Sequence, residues 1–327
     1  MVKSLSFYRI INYILLRSSY LLSRLTGSLF LWGKPISLSI EISGNCQLHC
    51  PECPLGNGKH IQRPLMSYEL FASIIEQNKK HLWMVSLYFQ GEPLLHPGAE
   101  KFITLLKKYR IYTSLSTNGN FDSPALAEKL VQTGLDELIV SVDGADQESY
   151  AVYRKGGSLE KVMSFMENIR QAKNQSRKSR PRVIMQSILM RQNEKNLIDL
   201  KIMAKRAGAS LRLKSMQIIN INQTDSLPES PKLRRYNIKD GRAMIKNPLG
   251  NHCWRVFRNP VISSKGDVLP CCFDKAGKYK MGNVQHMPFS RIWHSDAYRA
   301  FVKKVFTERK NTDICTNCTE GTKSIYV

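Results

Sequence analysis

Three cysteines fall within eight residues, Cys46-Gln47-Leu48-His49-Cys50-Pro51-Glu52-Cys53, in a C-x3-C-x2-C spacing. Thiolates this close select soft metals or iron–sulfur clusters. A structural zinc site wants four ligands, usually in paired C-x2-C spacings, which this loop lacks. Three ligands on a cubane leave one iron open to bind something else. Five further cysteines stand at 253, 271, 272, 315 and 318. Cys253 and Cys271 lie on either side of Gly266 in a C-x12-G-x4-C spacing, and Cys315-Thr316-Asn317-Cys318 is a lone C-x2-C pair. Such a set suits a second cluster or a structural zinc, and spacing does not decide between them. Eight cysteines in 327 residues are too few for a disulfide scaffold. Cluster thiolates need reducing surroundings, so a cytoplasmic location is expected.

The elements that must position these groups alternate between two hydrophobic periods. Strands are predicted at 37–42, 85–89, 112–116, 138–142, 183–190 and 210–216. Helices are predicted at 68–80, 99–110, from Ser123-Pro124 to Gly134, and at 159–173 and 194–207. Alternation of this kind means a parallel sheet with right-handed crossovers. Polar segments follow successive strands: the cysteine loop, then Gln90-Gly91-Glu92-Pro93, Ser116-Thr117-Asn118-Gly119 and Ser141-Val142-Asp143-Gly144. Barrel enzymes build their sites on that strand end. Residues 220–251 lose the periodicity and read as a linker. Beyond them, 261–263 and 267–270 flank Lys265-Gly266 as a hairpin, and a helix covers about 296–306.

At the cysteine loop the chain resembles the radical S-adenosylmethionine (SAM) superfamily. Its C-x3-C-x2-C signature follows the first strand of a partial (β/α)6 barrel. The resemblance implies an α/β fold, a [4Fe–4S] cluster on Cys46, Cys50 and Cys53, and SAM chelating the open iron. It also implies a 5′-deoxyadenosyl radical as the hydrogen-abstracting species and an electron donor such as flavodoxin or ferredoxin. Gln90–Pro93 is similar to the family's GGEP motif, which would place Gly91, Glu92 and Pro93 at the methionine amino group; Gln90 replaces the first glycine. By the same likeness Ser116 and Asn118 face the ribose, Ser141 and Asp143 belong to an SxDG segment, and Arg154 reaches the SAM carboxylate. Glu52 departs from the aromatic or apolar residue that often precedes the third cysteine.

The late cysteines resemble the SPASM/twitch extension of this superfamily, a small α+β module for auxiliary [4Fe–4S] clusters. The resemblance assigns Cys253, Cys271, Cys315 and Cys318 as ligands and leaves Cys272 spare. Two auxiliary clusters need more late cysteines than five, so one is expected. The expected domains are a basic segment at 1–35, a barrel at 36–219, the linker, and the module at 252–327.

Charge adds a second theme. The chain carries 49 Lys/Arg against 26 Asp/Glu, a net +23. Residues 170–258 hold 21 Lys/Arg against 5 Asp/Glu. An anionic substrate, a nucleic acid or an anionic membrane would suit this excess. Sparse aromatics there argue against nucleic acid. Residues 1–35 contain five basic residues and no acid, with no uncharged run long enough to span a bilayer. On a helical wheel Lys3, Arg9, Arg17 and Arg24 share one arc of about 120°. Two readings stay open: a helix packed on the protein, or a basic interfacial helix holding it peripherally at an anionic membrane.

Three functions remain. One is a radical SAM oxidoreductase acting on a sugar or cyclitol alcohol, with the second cluster accepting an electron and Lys214, near the end of the sixth strand, taking a proton or holding an anionic group. The second is radical SAM modification of a ribosomal peptide, although residues 1–35 show no peptide-recognition domain. The third is a zinc-bearing RNA-binding protein without redox chemistry.

Overall fold

The structure is a computed structural model and describes residues 6–56, 64–246 and 249–318. In chain order its first elements are α1 (Phe7–Thr26), β1 (Ser37–Ile40), α2 (Tyr68–Asn78), β2 (Met84–Ser86), α3 (Ala99–Lys108) and β3 (Tyr112–Thr117). Next come α4 (Pro124–Gln132), β4 (Glu137–Ser141), α5 (Gln147–Tyr153), α6 (Leu159–Gln175), β5 (Arg182–Leu189), α7 (Leu197–Arg206) and β6 (Ser210–Ser215). The remainder are β7 (Tyr236–Lys239), β8 (Arg242–Ile245), α8 (Arg255–Arg258), β9 (Val261–Ile262), β10 (Asp267–Leu269), β11 (Gly282–Asn283), α9 (Phe289–Trp293), α10 (Asp296–Glu308) and α11 (Asp313–Thr316). All six predicted strands and their intervening helices are present. The sequence reading missed α5, a single short capped turn region too brief to show a period.

The chain forms two compact units, one of residues 1–45, 62–114 and 249–321, the other of 46–61, 115–248 and 322–327. This division differs from the expected domains. The C-terminal module does not stand apart from the first barrel strands, because β9 pairs in parallel with β1, Ser39 opposite Val261. Strand β10 continues the sheet antiparallel to β9 across the Lys265-Gly266 turn, where Gly266 has φ +81. Such a conformation favours glycine. In the same unit β1, β2 and β3 pair in parallel, covered by α2 and α3 through Phe71, Ile75, Phe102 and Leu106. Ser67 caps α2 by accepting from Leu70 N at 3.2 Å.

In the second unit β4, β5 and β6 are parallel, with Ser141 opposite Gln186 and Ile188 opposite Lys214. Ser123 caps α4 and Pro124 occupies its first position, as predicted. The expected linker is not extended chain. It folds into the β7–β8 hairpin around Asp240-Gly241, and its Tyr236 and Ala243 are buried in an apolar cluster with Cys50.

Helix α1 corrects the expected basic arc. Lys3 lies outside the described residues. Arg9 is buried, and its guanidinium donates to the carbonyls of Lys79, Tyr109 and Arg110 at 3.0–3.3 Å. Those carbonyls belong to the ends of α2 and α3, where the helix dipole is negative and a cation is favoured. Burial pulls the Arg9 pKa down, and the three carbonyls take the place of water around it.

Candidate active site

The second unit holds the three-cysteine loop. Cys53 N donates to Cys50 O at 3.1 Å and Gly56 N to Cys53 O at 2.9 Å, which winds the loop tightly. A Cβ on Gly56 would sit 2.3 Å from Cys50 O, so only glycine allows that close return. His49 N ties the loop to Lys155 O at 2.9 Å. Cys50 is buried, whereas Cys46 and Cys53 are half-buried. All three pack on a cluster containing Leu48, Tyr153, Met190, Met216, Ile218 and Tyr236. Glu52, the departure from the family pattern, accepts from Ile219 N at 2.5 Å and so fastens the loop to the segment after β6.

Two side chains from elsewhere in this unit donate to the sulfurs, Asn118 just after β3 and Arg154 at the C-terminal end of α5. Asn118 Nδ2 lies 3.7 Å from Cys46 Sγ and Arg154 Nη1 lies 3.7 Å from Cys50 Sγ. Asn118, expected at a ribose, also exchanges hydrogen bonds with Gln47 at 3.1 and 3.3 Å. Arg154, expected at a carboxylate of SAM, is held by buried Asp143, with Nε 2.6 Å from Oδ2. Asp143 Oδ1 accepts from Ile188 N at 2.6 Å, and its backbone carbonyl accepts from buried Asn193. Burial works against the Arg154 charge, but Asp143 and Cys50 outweigh it and the pKa is pushed up. Burial pushes the Cys50 thiol up, with Arg154 opposing. A cationic metal would favour the thiolate at Cys50 against that burial, and the N–H donors from Asn118 and Arg154 suit sulfurs that carry charge.

The other expected positions in this unit divide. Ser141 is buried and Ser116 half-buried, both on strands that carry site residues. Lys214 is exposed on β6. Two groups escaped the sequence reading. Gln186 Oε1 and Ser187 Oγ on β5 are buried with no hydrogen-bond partner among the described residues. Buried polar atoms of this kind call for a ligand or water. A glutamine inside the apolar run Val183–Met190 was the available signal.

The first unit holds the Gln90–Pro93 loop. A Cβ on Gly91 would lie 2.0 Å from Ser43 O, so this backbone passes another at glycine-only distance. Glu92 N donates to Asn45 O at 2.7 Å, and its buried carboxylate accepts from Leu94 N at 3.1 Å, at the start of a 3-10 turn over Pro93–Leu95. Glu41 was also missed. It is buried, and one oxygen accepts from Gln90 N and Gly91 N at 3.3 Å while the other accepts from Ser264 N and Oγ. Gln90 Nε2 donates to Lys275 O at 2.5 Å, which gives the replaced glycine a role. A carboxylate and an amide thus bind this loop to the C-terminal hairpin region.

The late cysteines lie in the same unit. Cys253, Cys271, Cys315 and Cys318 are buried, while Cys272 is half-buried and accepts from Arg255 Nη1 at 3.5 Å. Burial pushes the Cys271 thiol well up, and the neighbouring Cys272, Cys253 and Cys318 add to it. Cys315 is raised by burial and by Cys253, with Arg309 opposing. Arg309 is a buried cation among these thiols, and its guanidinium also donates to the carbonyls of Gly250 and His252. Arg309 interacts electrostatically with Cys253, Cys318 and Cys315, soft donors of the kind an iron–sulfur cluster takes, but among the described residues no three Cys, His, Asp or Glu side chains stand close enough together to hold a metal ion.

Two stretches of the chain match known families. Residues 40–200 match the radical SAM superfamily and residues 253–319 match SPASM, an iron–sulfur cluster-binding domain. The S-adenosyl-L-methionine-dependent 2-deoxy-scyllo-inosamine dehydrogenase of Niallia circulans is 24% identical over 290 residues, covering 86% of this chain and 91% of that protein. The mycofactocin maturase MftC of Mycolicibacterium smegmatis is 24% identical over 307 residues, covering 87% and 75%. SuiB of Streptococcus suis bound to S-adenosylmethionine superposes with a TM-score of 0.65 at 15% identity, covering 92% of this chain and 75% of that one. BtrN in complex with AdoMet and 2-DOIA gives 0.52 at 20%, covering 88% and 93%. At such identities the structural likeness establishes the fold. Together with the motifs and the two matched regions, it follows that the chain belongs to the radical SAM superfamily and carries a SPASM iron–sulfur module.

Proposed function

We propose that this enzyme oxidises a carbinol of a sugar or cyclitol and passes the surplus electron to the cysteine site of its C-terminal module. The observation that carries the reading is the contrast between a three-cysteine loop in which Cys46 and Cys53 are half-buried and a set of four that are all buried. Three ligands leave a cubane one open iron, whereas four leave none, so the second site suits electron transfer alone. The 2-deoxy-scyllo-inosamine dehydrogenase, which matches this chain over 91% of its own length, supports an alcohol as substrate. The basic charge at 170–258 suits an anionic substituent on it.

In this reading Cys46, Cys50 and Cys53 are the first ligand set, and Cys253, Cys271, Cys315 and Cys318 the second. When bound, the first cluster and SAM supply a 5′-deoxyadenosyl radical, given one electron from a flavodoxin- or ferredoxin-type donor. Arg154, fixed by Asp143, and Asn118 donate to the sulfurs and stabilise their charge. The Gly91 backbone and the Glu92 and Pro93 turn offer an approach for the amino-acid end of SAM. Gln186, Ser116 and Ser141 offer polar atoms for its ribose or for substrate. Lys214, being exposed, suits holding an anionic group rather than taking the proton. The electron count closes: the substrate loses a hydrogen atom to the radical, a proton from its hydroxyl to solvent or a base, and one electron to the second site.

The test uses a panel of sugar and cyclitol alcohols deuterated at the carbinol. Deuterium should appear in 5′-deoxyadenosine, and a ketone should form in equal amount. Cys315→Ala should keep SAM cleavage and lose the ketone. Ketone formation at the wild-type rate in that variant refutes the electron-acceptor role. Deuterium transfer from a peptide and from no alcohol refutes the substrate class.

A further inference from the structure

Helix α1 is built inside out for a helix on a water-facing surface. Its inward side carries Arg9, Leu16, Ser19, Tyr20 and Ser23. The polar members of that side are spent on backbone. Asn12, Ser19 and Ser23 hydrogen-bond to main-chain groups of Lys34, Trp32 and Phe30, which run back along the helix. A Cβ on Gly33 would lie 2.6 Å from Leu16 N, so this return segment lies directly on the helix. The outward side is apolar apart from the half-buried Ser18. Phe7 is 73% exposed, Ile14 56% and Leu25 80%, and Ile10, Ile11 and Leu21 are exposed beside them. At 100° per residue these six share an arc of about 100°, opposite Arg9 and Leu16. Trp32, 51% exposed, stands on the return segment.

A soluble surface rarely keeps so continuous an apolar stripe without a partner. The charge around it says which partner. Arg24 is exposed on the flank of the helix, and the ammonium of exposed Lys80 lies 5.8 Å from the Tyr8 ring. Arg110, also exposed, follows α3 at the point where Arg9 binds its carbonyl. No acidic residue occurs in residues 1–40. A second copy of this chain would bring like charges together across the contact, which a net +23 disfavours. No helix among the described residues is long and apolar enough to cross a membrane, so the stripe suits a surface rather than a span. We infer that the outward face of α1 lies in the interfacial region of an anionic lipid bilayer, with Phe7, Ile14, Leu21 and Leu25 among the acyl chains and the flanking cations at the headgroups. This differs from docking through the basic arc, because Arg9 is committed to the protein interior. It is also independent of the proposed reaction.

The test uses the full-length, anaerobically prepared holoprotein and vesicles of phosphatidylcholine with or without one quarter phosphatidylglycerol. Wild type should co-sediment with the anionic vesicles and more weakly with the neutral ones, and raised salt should reduce but not abolish binding. Ile14→Glu with Leu25→Glu should lower partitioning at least about tenfold, since each removes one exposed apolar contact. Arg24→Glu with Lys80→Glu should erase the preference for anionic vesicles while leaving residual binding. Trp32 emission should shift to the blue with anionic vesicles, and the shift should vanish in Trp32→Phe. All substituted sites are exposed, so iron content and circular dichroism should match wild type. Equal partitioning of wild type and the Ile14/Leu25 variant overturns the inference. So does wild type that ignores vesicles but is a dimer which the same variant dissociates.

Discussion

The two cysteine sites are made of the same donor atom and differ in what surrounds it. The first is a contiguous loop whose thiols Cys46 and Cys53 stay half-exposed, with N–H donors arriving from Asn118 and Arg154 at its rim. The second draws thiols from 66 residues of chain, buries all four, and sets the Arg309 guanidinium against Cys253, Cys315 and Cys318. In the proposed reading, three ligands with partial exposure leave room for a second molecule at the metal, and four buried ligands beside a fixed cation suit electron transfer. The difference teaches that ligand count alone does not assign a role; access and the charge beside the sulfurs complete it.

Four experiments test whether the two sites differ as described. Replacing Cys46, Cys50 and Cys53 together by Ala should abolish 5′-deoxyadenosine formation under dithionite. The same protein should retain about four irons, one cubane's worth. Retained SAM cleavage, or zinc in place of the remaining iron, would collapse the distinction. A smaller effect is expected at the rim. Arg154→Gln and Asp143→Asn should each lower the rate of SAM cleavage roughly 10- to 100-fold with iron retained, as loss of an outer-shell partner does. If Arg154→Gln alone does so, Asp143 is not what positions the guanidinium.

The third effect is a shift rather than a loss. Arg309→Gln removes a buried cation beside the late thiols, which makes reduction of that site less favourable. Its potential should fall by on the order of 100 mV, the equivalent of one charged hydrogen bond, while the first site stays unchanged. Redox titration followed by electron paramagnetic resonance separates the two, and a common shift of both would show that Arg309 acts through the fold. The smallest expected effect is none. Cys272 accepts from Arg255 and is the least buried late cysteine, so Cys272→Ala should leave the iron count unaltered. Loss of iron there would reassign the ligand set.

Local order carried most of what could be read in advance. The hydrophobic periods located six parallel strands, and Ser67 and Ser123 cap the helices they precede. Those features depend on neighbours within a few residues. The hairpin at 236–245 was hidden because its strands are four residues each and partly polar. Its place is set by Tyr236 packing near Cys50, a contact of long sequence separation. Arg9 misled for a similar reason. A helical wheel groups residues by angle but does not say which angle faces the protein.

The amino-acid sequence by itself determined the chemistry: which residues are thiols, how many each site can offer, and which strand each follows. It did so because cluster ligation and strand-end loops are written in short spacings. Only the tertiary structure decided the partners of those groups. Glu41 and Gln90 tie the Gly91 loop to Ser264 and Lys275, Asp143 aims Arg154 at Cys50, and Arg309 enters the late thiol set. Three of these contacts join residues more than a hundred apart in sequence: Glu41 with Ser264, Gln90 with Lys275, and Arg154 with Cys50. Burial makes them strong, because a charge removed from water must find its counterpart wherever the fold brings one. The outward face of α1 was settled in the same way, by the backbone carbonyls that claimed Arg9 for the interior and left the leucines and isoleucines outside.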